Sequence, residues 1–196
     1  MATFLLYKIL NMRPTLLIID IQNDYFEGGK MELVKMEAAT KNAEKILFYF
    51  RKNNLPIVFI QHLATKPNAS FFIAGTSGAE IHESIRPQGN EIVIIKNFPN
   101  SFRDTNLQKH LQTLDSTDLV ICGAMSHMCI DTTTRAAADL DYSCRLISDA
   151  CATRDLVFND RKIKAADVQV AYMAALSGTF AKVFSTEQFL CAPELK

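Results

Sequence analysis

Six short apolar runs, separated by longer segments of mixed polarity, restrict the fold of this 196-residue chain more than any other feature. They are residues 15–20, 56–61, 91–96, 118–122, 143–148 and 181–184. A run that is apolar throughout is typical of a strand covered on both faces, and helices between such strands predict parallel βαβ units. We therefore expect an α/β fold with three αβα layers around a six-stranded parallel sheet, which is a Rossmann-like arrangement.

Segments with apolar positions at helical spacing lie between these runs and predict the helices. Asn159 or Asp160 is expected to cap the last helix at its start, and Gly178 suits its end. The predicted helices cover approximately residues 36–52, 104–113, 129–140 and 160–176.

The remaining segments define the expected domain organisation. Residues 64–90 contain Gly, Pro, Ser and Asn without clear periodicity, and a loop of that length suggests a functional flap. Met12 stands just ahead of the first strand, so residues 1–12 are expected to be an appendage or an alternative start. Residues 13–196 are expected to form a single domain.

Charge and composition exclude several classes of function. Lysine plus arginine and aspartate plus glutamate number 21 each, so the net charge is zero, and no long basic run is present. Nucleic acid is therefore disfavoured as a main ligand. No segment is long enough to span a membrane, and the first residues lack the basic leader and cleavage site of a signal peptide. We expect a cytoplasmic protein whose partner is a small-molecule substrate.

Five cysteines are scattered among apolar residues. No CxxC pair occurs, so the sequence contains neither a zinc ribbon nor a thioredoxin-type motif. Cys122, Cys144 and Cys191 are expected to be buried as small apolar side chains in a reducing compartment. Cys151 follows a strand, so a place nearer the surface is the alternative for it, but burial is favoured there too.

Cys129 is the strongest candidate for a reactive group. It follows the apolar run 118–122 and a tight turn, and so falls near the start of the predicted helix. Unpaired backbone N–H groups and the helix dipole stabilise negative charge there, which predicts a lowered thiol pKa. Because the thiolate is the nucleophilic form of cysteine, this placement predicts a nucleophile.

Two further polar residues end apolar runs. Asp20 ends the first run and Lys96 the third, where an open α/β sheet places its ligands. An Asp at this point can simply cap a turn, and a Lys can simply reach solvent. Together with Cys129, however, they predict a site in which a carboxylate moves the thiol proton and an ammonium stabilises negative charge.

Three segments in the same order resemble the isochorismatase-like cysteine hydrolases. They read Ile-Ile-Asp20-Ile-Gln-Asn-Asp24-Tyr-Phe26, Ile-Ile-Lys96-Asn-Phe-Pro-Asn-Ser-Phe102 and Cys-Gly123-Ala-Met-Ser-His-Met-Cys129. The resemblance extends from about residue 13 to residue 189, and its motifs specify the superfamily far better than the substrate.

The resemblance implies a catalytic triad of Asp20, Lys96 and Cys129. It also implies a cis peptide between Ala124 and Met125, with an oxyanion hole formed by the backbone N–H groups of Met125 and Cys129. The implied reaction is attack of the thiolate on a carbonyl-like carbon, followed by hydrolysis of a thioester.

Nicotinamidases of this superfamily carry a metal site built on an Asp-x-His pattern after the second strand, and this chain departs from it. Gln61 and Leu63 occupy the two ligand positions, so we expect no metal and no cofactor. His62 is interpreted as a hydrogen-bonding residue of the loop after this strand.

The sequence gives less information about the substrate. Isochorismatases proper cleave a vinyl ether without a cysteine nucleophile, so Cys129 favours cleavage of a small amide or related C–N bond. Phe26, Phe98, Phe102 and His127 are candidate substrate-binding residues, although the phenylalanines could equally serve packing.

Two other functions stay open at this stage. One is hydrolysis of an ether or ester on the same fold, and the other is a catalytically idle or redox-responsive oligomeric protein. A homodimer or homotetramer is what the resemblance implies.

Overall fold

The computed structural model describes residues 14–191, over which strands and helices largely alternate. The predicted appendage at residues 1–12 lies outside this range, and the single domain over residues 13–196 stays a prediction. The strands are β1 (Thr15–Ile19), β2 (Ile57–His62), β3 (Ile92–Lys96), β4 (Asp118–Ala124), β5 (Ser143–Ala152), β6 (Leu156–Phe158), β7 (Arg161–Ile163) and β8 (Lys182–Phe184). The helices are α1 (Met36–Lys52), α2 (Leu107–Thr113), α3 (Asp131–Asp139), α4 (Ala165–Leu176) and α5 (Thr186–Cys191).

Six of the strands form one parallel sheet in the order β3-β2-β1-β4-β5-β8. The chain proceeds outward from β1 through β2 to β3, and then returns to place β4 on the other side of β1. The strand order therefore reverses between β1 and β4, which is where such sheets bind their ligands. The predicted fold class is confirmed.

Two hydrophobic cores cover the two faces of the sheet. In β1, Leu16 and Ile18 pack into the core that contains α1 and α5, whereas Leu17 and Ile19 pack into the core that contains α2, α3 and α4. All four side chains are essentially inaccessible to solvent. Burial on both faces explains why the β1 sequence is apolar throughout rather than alternating.

The segment before α4 differs from the prediction, because residues 156–163 form an antiparallel hairpin of β6 and β7. Asn159 and Asp160 are its two-residue loop, with φ angles of 47° and 59°. Two consecutive positive φ values match the twist of a tight hairpin, and Asn and Asp tolerate them. The expectation that either residue caps α4 is therefore wrong; Lys164 precedes the helix instead.

The long segment 64–90 is tied to the residues that follow β1. The backbone N–H of Phe72 donates to Asp24 Oδ2 at 2.6 Å, and the Gln22 side chain donates to Ala79 O at 2.7 Å. Phe72 itself is fully buried. These contacts fix the predicted flap against the loop that carries Asp20.

Cys151 and Cys191 differ in how they compare with the sequence expectation. Cys151 is buried because β5 continues to Ala152 and pairs there with β4, opposite Gly123. Cys191, the last residue of α5, is exposed. The favoured expectation of burial is therefore confirmed for Cys151, whereas the expected burial of Cys191 is wrong because that residue lies at the end of its helix. Within residues 14–191, no helix has the length and apolar character needed to cross a membrane.

Candidate active site

Asp20 and Lys96 meet at the carboxyl edge of the sheet. Asp20 directly follows β1, Lys96 ends β3, and β2 lies between the two strands. Lys96 Nζ is 2.8 Å from Asp20 Oδ2, and neither side chain is exposed to solvent. Asp20 has a φ of 51°, in the left-handed region that Asp tolerates better than most residues.

The pair is ionised because each charge offsets the cost of burying the other. Burial acts to raise the pKa of Asp20, but the charge of Lys96 outweighs it, so the pKa is lowered. Burial acts to lower the pKa of Lys96, but the charge of Asp20 outweighs it, so the pKa is raised. Neither oxygen of Asp20 accepts a hydrogen bond of regular geometry from residues 14–191, so Lys96 compensates the carboxylate mainly through charge.

Cys129 approaches this pair from the turn after β4. The peptide bond between Ala124 and Met125 is cis, and Ser126–Ile130 form a π-helical turn in which Ile130 N donates to Met125 O at 3.2 Å. The Cys129 side chain is buried, and its sulfur, an Asp20 oxygen and a His62 nitrogen all lie within 4.8 Å of one another. The structure therefore brings together all three residues of the expected triad.

Gly123 permits this approach. It has a φ of 126°, and a Cβ atom at this position would collide with the carbonyl oxygen of Ile19 in β1. Only glycine allows β4 to run so close to the end of β1 while adopting this backbone conformation. The turn that carries Cys129 thus begins beside the loop that carries Asp20.

The predicted lowering of the Cys129 pKa is wrong. Burial and the Asp20 carboxylate raise this pKa, and the opposing charge of Lys96 does not compensate. The resting thiol is therefore protonated at neutral pH. An ionised carboxylate close to a protonated thiol is an arrangement in which the thiol can lose its proton during attack rather than before it.

Asp20, His62 and Cys129 together carry donor atoms of the kinds that bind zinc. The ammonium of Lys96, however, lies 2.8 Å from Asp20 Oδ2 and 3.5 Å from His62 Nδ1. A cation among these donors would face that positive charge at short range, so the donor set fits a metal poorly. Gln61, at a ligand position of the nicotinamidase pattern, donates its side-chain amide to Ala79 O at 2.8 Å.

The four candidate substrate-binding residues lie in different surroundings. Phe26 stacks on the His82 ring at 3.8 Å, and Phe98 lies under the Arg103 guanidinium. The other two candidates are Phe102 and His127. Phe102 stacks on Tyr142, which directly precedes β5 at the amino end of that strand.

His127 borders the turn that carries the thiol. Its Nδ1 is 2.6 Å from Thr153 Oγ1, its side chain is partly exposed, and it lies two residues before Cys129. His127 therefore stays a candidate for substrate contact, whereas Phe102 is occupied by packing.

Sequence reasoning missed two buried residues near the site. Tyr25 is 1% exposed, and its burial, together with the nearby charge of Asp20, raises its pKa. Gln22 is fully buried and holds the backbone of His62. Both lie within five residues of Asp20 in the sequence. The sequence alone, however, does not show whether a tyrosine or a glutamine at such a position serves packing or the site.

Known proteins resemble the chain over most of its length. The family model of the isochorismatase domain matches residues 14–188. YddQ of Bacillus subtilis, an uncharacterised isochorismatase family protein, is 49% identical over 91% of this chain and 99% of its own. The crystal structure of an isochorismatase from Pseudomonas putida has a TM-score of 0.85 and 38% identity, covering 90% of this chain and 89% of that one. A streptothricin hydrolase of Streptomyces noursei is 30% identical over 72% of this chain and 50% of its own.

Proposed function

The chain belongs to the isochorismatase family of hydrolases, as its sequence motifs indicated, and on that premise we propose that it is a cysteine-dependent hydrolase of small amides or related C–N bonds. One observation carries the proposal: the buried thiol of Cys129 lies beside the ionised Asp20–Lys96 pair. A nucleophile, a proton acceptor and a fixed positive charge then share one site.

The first half of the reaction forms a thioester. Cys129 passes its proton to Asp20 as its sulfur bonds to the substrate carbonyl carbon, and the carbonyl electrons move to oxygen. The ammonium of Lys96 and the backbone N–H groups of Met125 and Cys129 stabilise the oxyanion. When the carbonyl re-forms, the C–N bond breaks and Asp20 gives its proton to the leaving nitrogen.

The second half hydrolyses the thioester. Asp20 removes a proton from a water molecule whose oxygen attacks the same carbon. The C–S bond then breaks, the sulfur recovers the proton from Asp20, and the acid product leaves. Asp20 returns to its carboxylate form at the end of the cycle, so one group serves both halves.

Chemistry and one relative favour a C–N bond over an ether. An amine leaves only if it is protonated, and Asp20 holds a proton at that stage, whereas an ether-cleaving isochorismatase has no need of the thiol. One relative is named streptothricin hydrolase, which supports the view that the family includes hydrolases other than isochorismatases.

The test is a panel of small amides and carbamoyl compounds assayed for release of ammonia or amine. We expect Cys129→Ala to lower kcat by more than about 10³-fold on any substrate found. Cys144→Ala is the matched control, because Cys144 is a buried cysteine on β5 whose pKa is likewise raised by burial, to about 12. An active Cys129→Ala protein would refute the covalent mechanism, and activity on isochorismate that survived this change would favour ether hydrolysis.

A further inference from the structure

His62 is placed against the catalytic pair by the register of the sheet. It is the last residue of β2 and pairs directly with Lys96 of β3. Its Nδ1 lies 3.5 Å from Lys96 Nζ and 3.8 Å from Asp20 Oδ2. The side chain is 17% exposed, whereas those of Asp20 and Lys96 are wholly buried, so the ring is a partly exposed neighbour of the buried pair.

A buried amide holds His62 in this place. Gln22 is fully buried, donates from Nε2 to His62 O at 2.9 Å and accepts at Oε1 from His62 N at 2.8 Å. The same Nε2 donates to Ala79 O at 2.7 Å, which ties the segment 64–90 to this point. The Phe72 ring lies 5.8 Å from the His62 ring and limits its movement. Because the backbone N–H and C=O of His62 are both hydrogen-bonded to Gln22, the backbone that carries the ring is fixed as well as the ring itself.

The ring offers the buried ammonium an acceptor in addition to three nearer oxygen atoms. Lys96 Nζ is 2.8 Å from Asp20 Oδ2, and it donates to Pro99 O at 3.1 Å and to Phe98 O at 3.2 Å. His62 Nδ1, when unprotonated, presents a lone pair to the same ammonium at the long end of hydrogen-bonding range. Away from water, the position of an ammonium is determined by the acceptors around it, so the loss of one of them shifts that position.

We propose that His62 is a positioning residue for the Asp20–Lys96 pair. Its ring accepts from Lys96 and so keeps the ammonium and the carboxylate in place for reaction at Cys129. The inference rests on the proposed function only where turnover is measured, because alkylation of Cys129 reports the state of the thiol without a substrate.

The experiment compares two replacements that differ in what they retain. His62→Asn places its side-chain oxygen near the present Nδ1, whereas His62→Leu fills space without an acceptor. His110→Leu is the matched control, since His110 lies on α2 and makes no contact with the triad among the interactions of the described residues. Thermal unfolding establishes that each variant is folded.

Two readouts are measured on each protein. The first is kcat and KM on a substrate found in the amide panel. The second is the rate of iodoacetamide alkylation, followed by mass spectrometry on the peptide that contains Cys129. Cys191 is exposed and reacts in the same sample, so it serves as the internal standard.

We expect His62→Leu to lower kcat and the alkylation rate by about tenfold, with KM within about twofold, because a hydrogen bond to a charged group is lost. His62→Asn should keep both rates within about threefold of the parent. Wild-type rates in His62→Leu, or equal losses in Asn and Leu, would overturn the proposal.

Two further outcomes are separable. If His62→Leu does not fold, His62→Gln takes its place. The glutamine amide reaches past the Nδ1 position, so this variant should lose activity as His62→Leu would. Wild-type rates in His62→Gln would overturn the proposal. If Cys129→Ala proves active, the proposed function fails, while the alkylation contrast between Asn and Leu still decides the role of His62.

Discussion

Replacing Lys96 tests how much the buried ion pair contributes to the free energy of unfolding. In Lys96→Met, a side chain of similar length remains, but the Asp20 carboxylate loses the charge 2.8 Å away and stays fully buried. Neither of its oxygens has a hydrogen bond of regular geometry within residues 14–191 to replace that charge. Breaking a buried pair in this way costs about 3–5 kcal/mol of unfolding free energy. With a urea m-value of roughly 2 kcal/mol/M, the midpoint should fall by about 2 M.

The pH dependence of this loss has a defined sign. In the parent protein the pKa of Asp20 is lowered, so its contribution to stability is present above its unfolded value of 3.8 and is lost as pH falls through the folded pKa. In Lys96→Met, burial acts largely unopposed and raises that pKa. The carboxyl group then takes up a proton on folding, and the penalty shrinks as pH falls. The gap between the two proteins should therefore narrow between pH 7 and about pH 4.

The assay is urea unfolding followed by circular dichroism at both pH values. Lys162→Met is the control, because Lys162 is 59% exposed and pairs with Asp155 at the surface, so the midpoint should not change. Asp20→Asn combined with Lys96→Met should recover part of the loss, since no unpaired charge remains. A Lys96→Met midpoint within about 0.3 M of the parent, or a gap that widens at low pH, would refute the reasoning.

Two other substitutions test how the site is supported. Gly123→Ala should destabilise the protein by about 3 kcal/mol or more in thermal unfolding, because its Cβ would overlap Ile19 O at a φ of 126°. Gly89→Ala, whose Cβ meets nothing within 4 Å, should destabilise the protein far less. Asp24→Ala should cost about 1–3 kcal/mol and speed proteolysis within residues 64–90, because the Phe72 N–H loses its acceptor; an unchanged cleavage rate would show that the segment is held without Asp24.

Hydrophobic pattern was sufficient to predict the sheet, because burial of a strand on both faces leaves a local mark in the sequence. The runs around Leu16 and Ile121 are apolar throughout for this reason, and helix α1 was predicted with its observed bounds, Met36–Lys52. Asn159 and Asp160 were misread because the same residue types favour a helix cap and a hairpin loop. Only pairing between β6 and β7 decides between the two.

The sequence by itself determined that Asp20, Lys96 and Cys129 end or follow strands of one sheet, since the polar residue after an apolar run marks the edge of the sheet. The tertiary structure decided what their proximity does to each of them. The Cys129 pKa is raised rather than lowered, because burial and the nearby carboxylate act on it more strongly than the start of a helix. It also decided that His62 faces the pair, which depends on the register between β2 and β3 and on the buried Gln22. Protonation and contact depend on distance and burial in the folded chain, and neither is a property of a short run of residues.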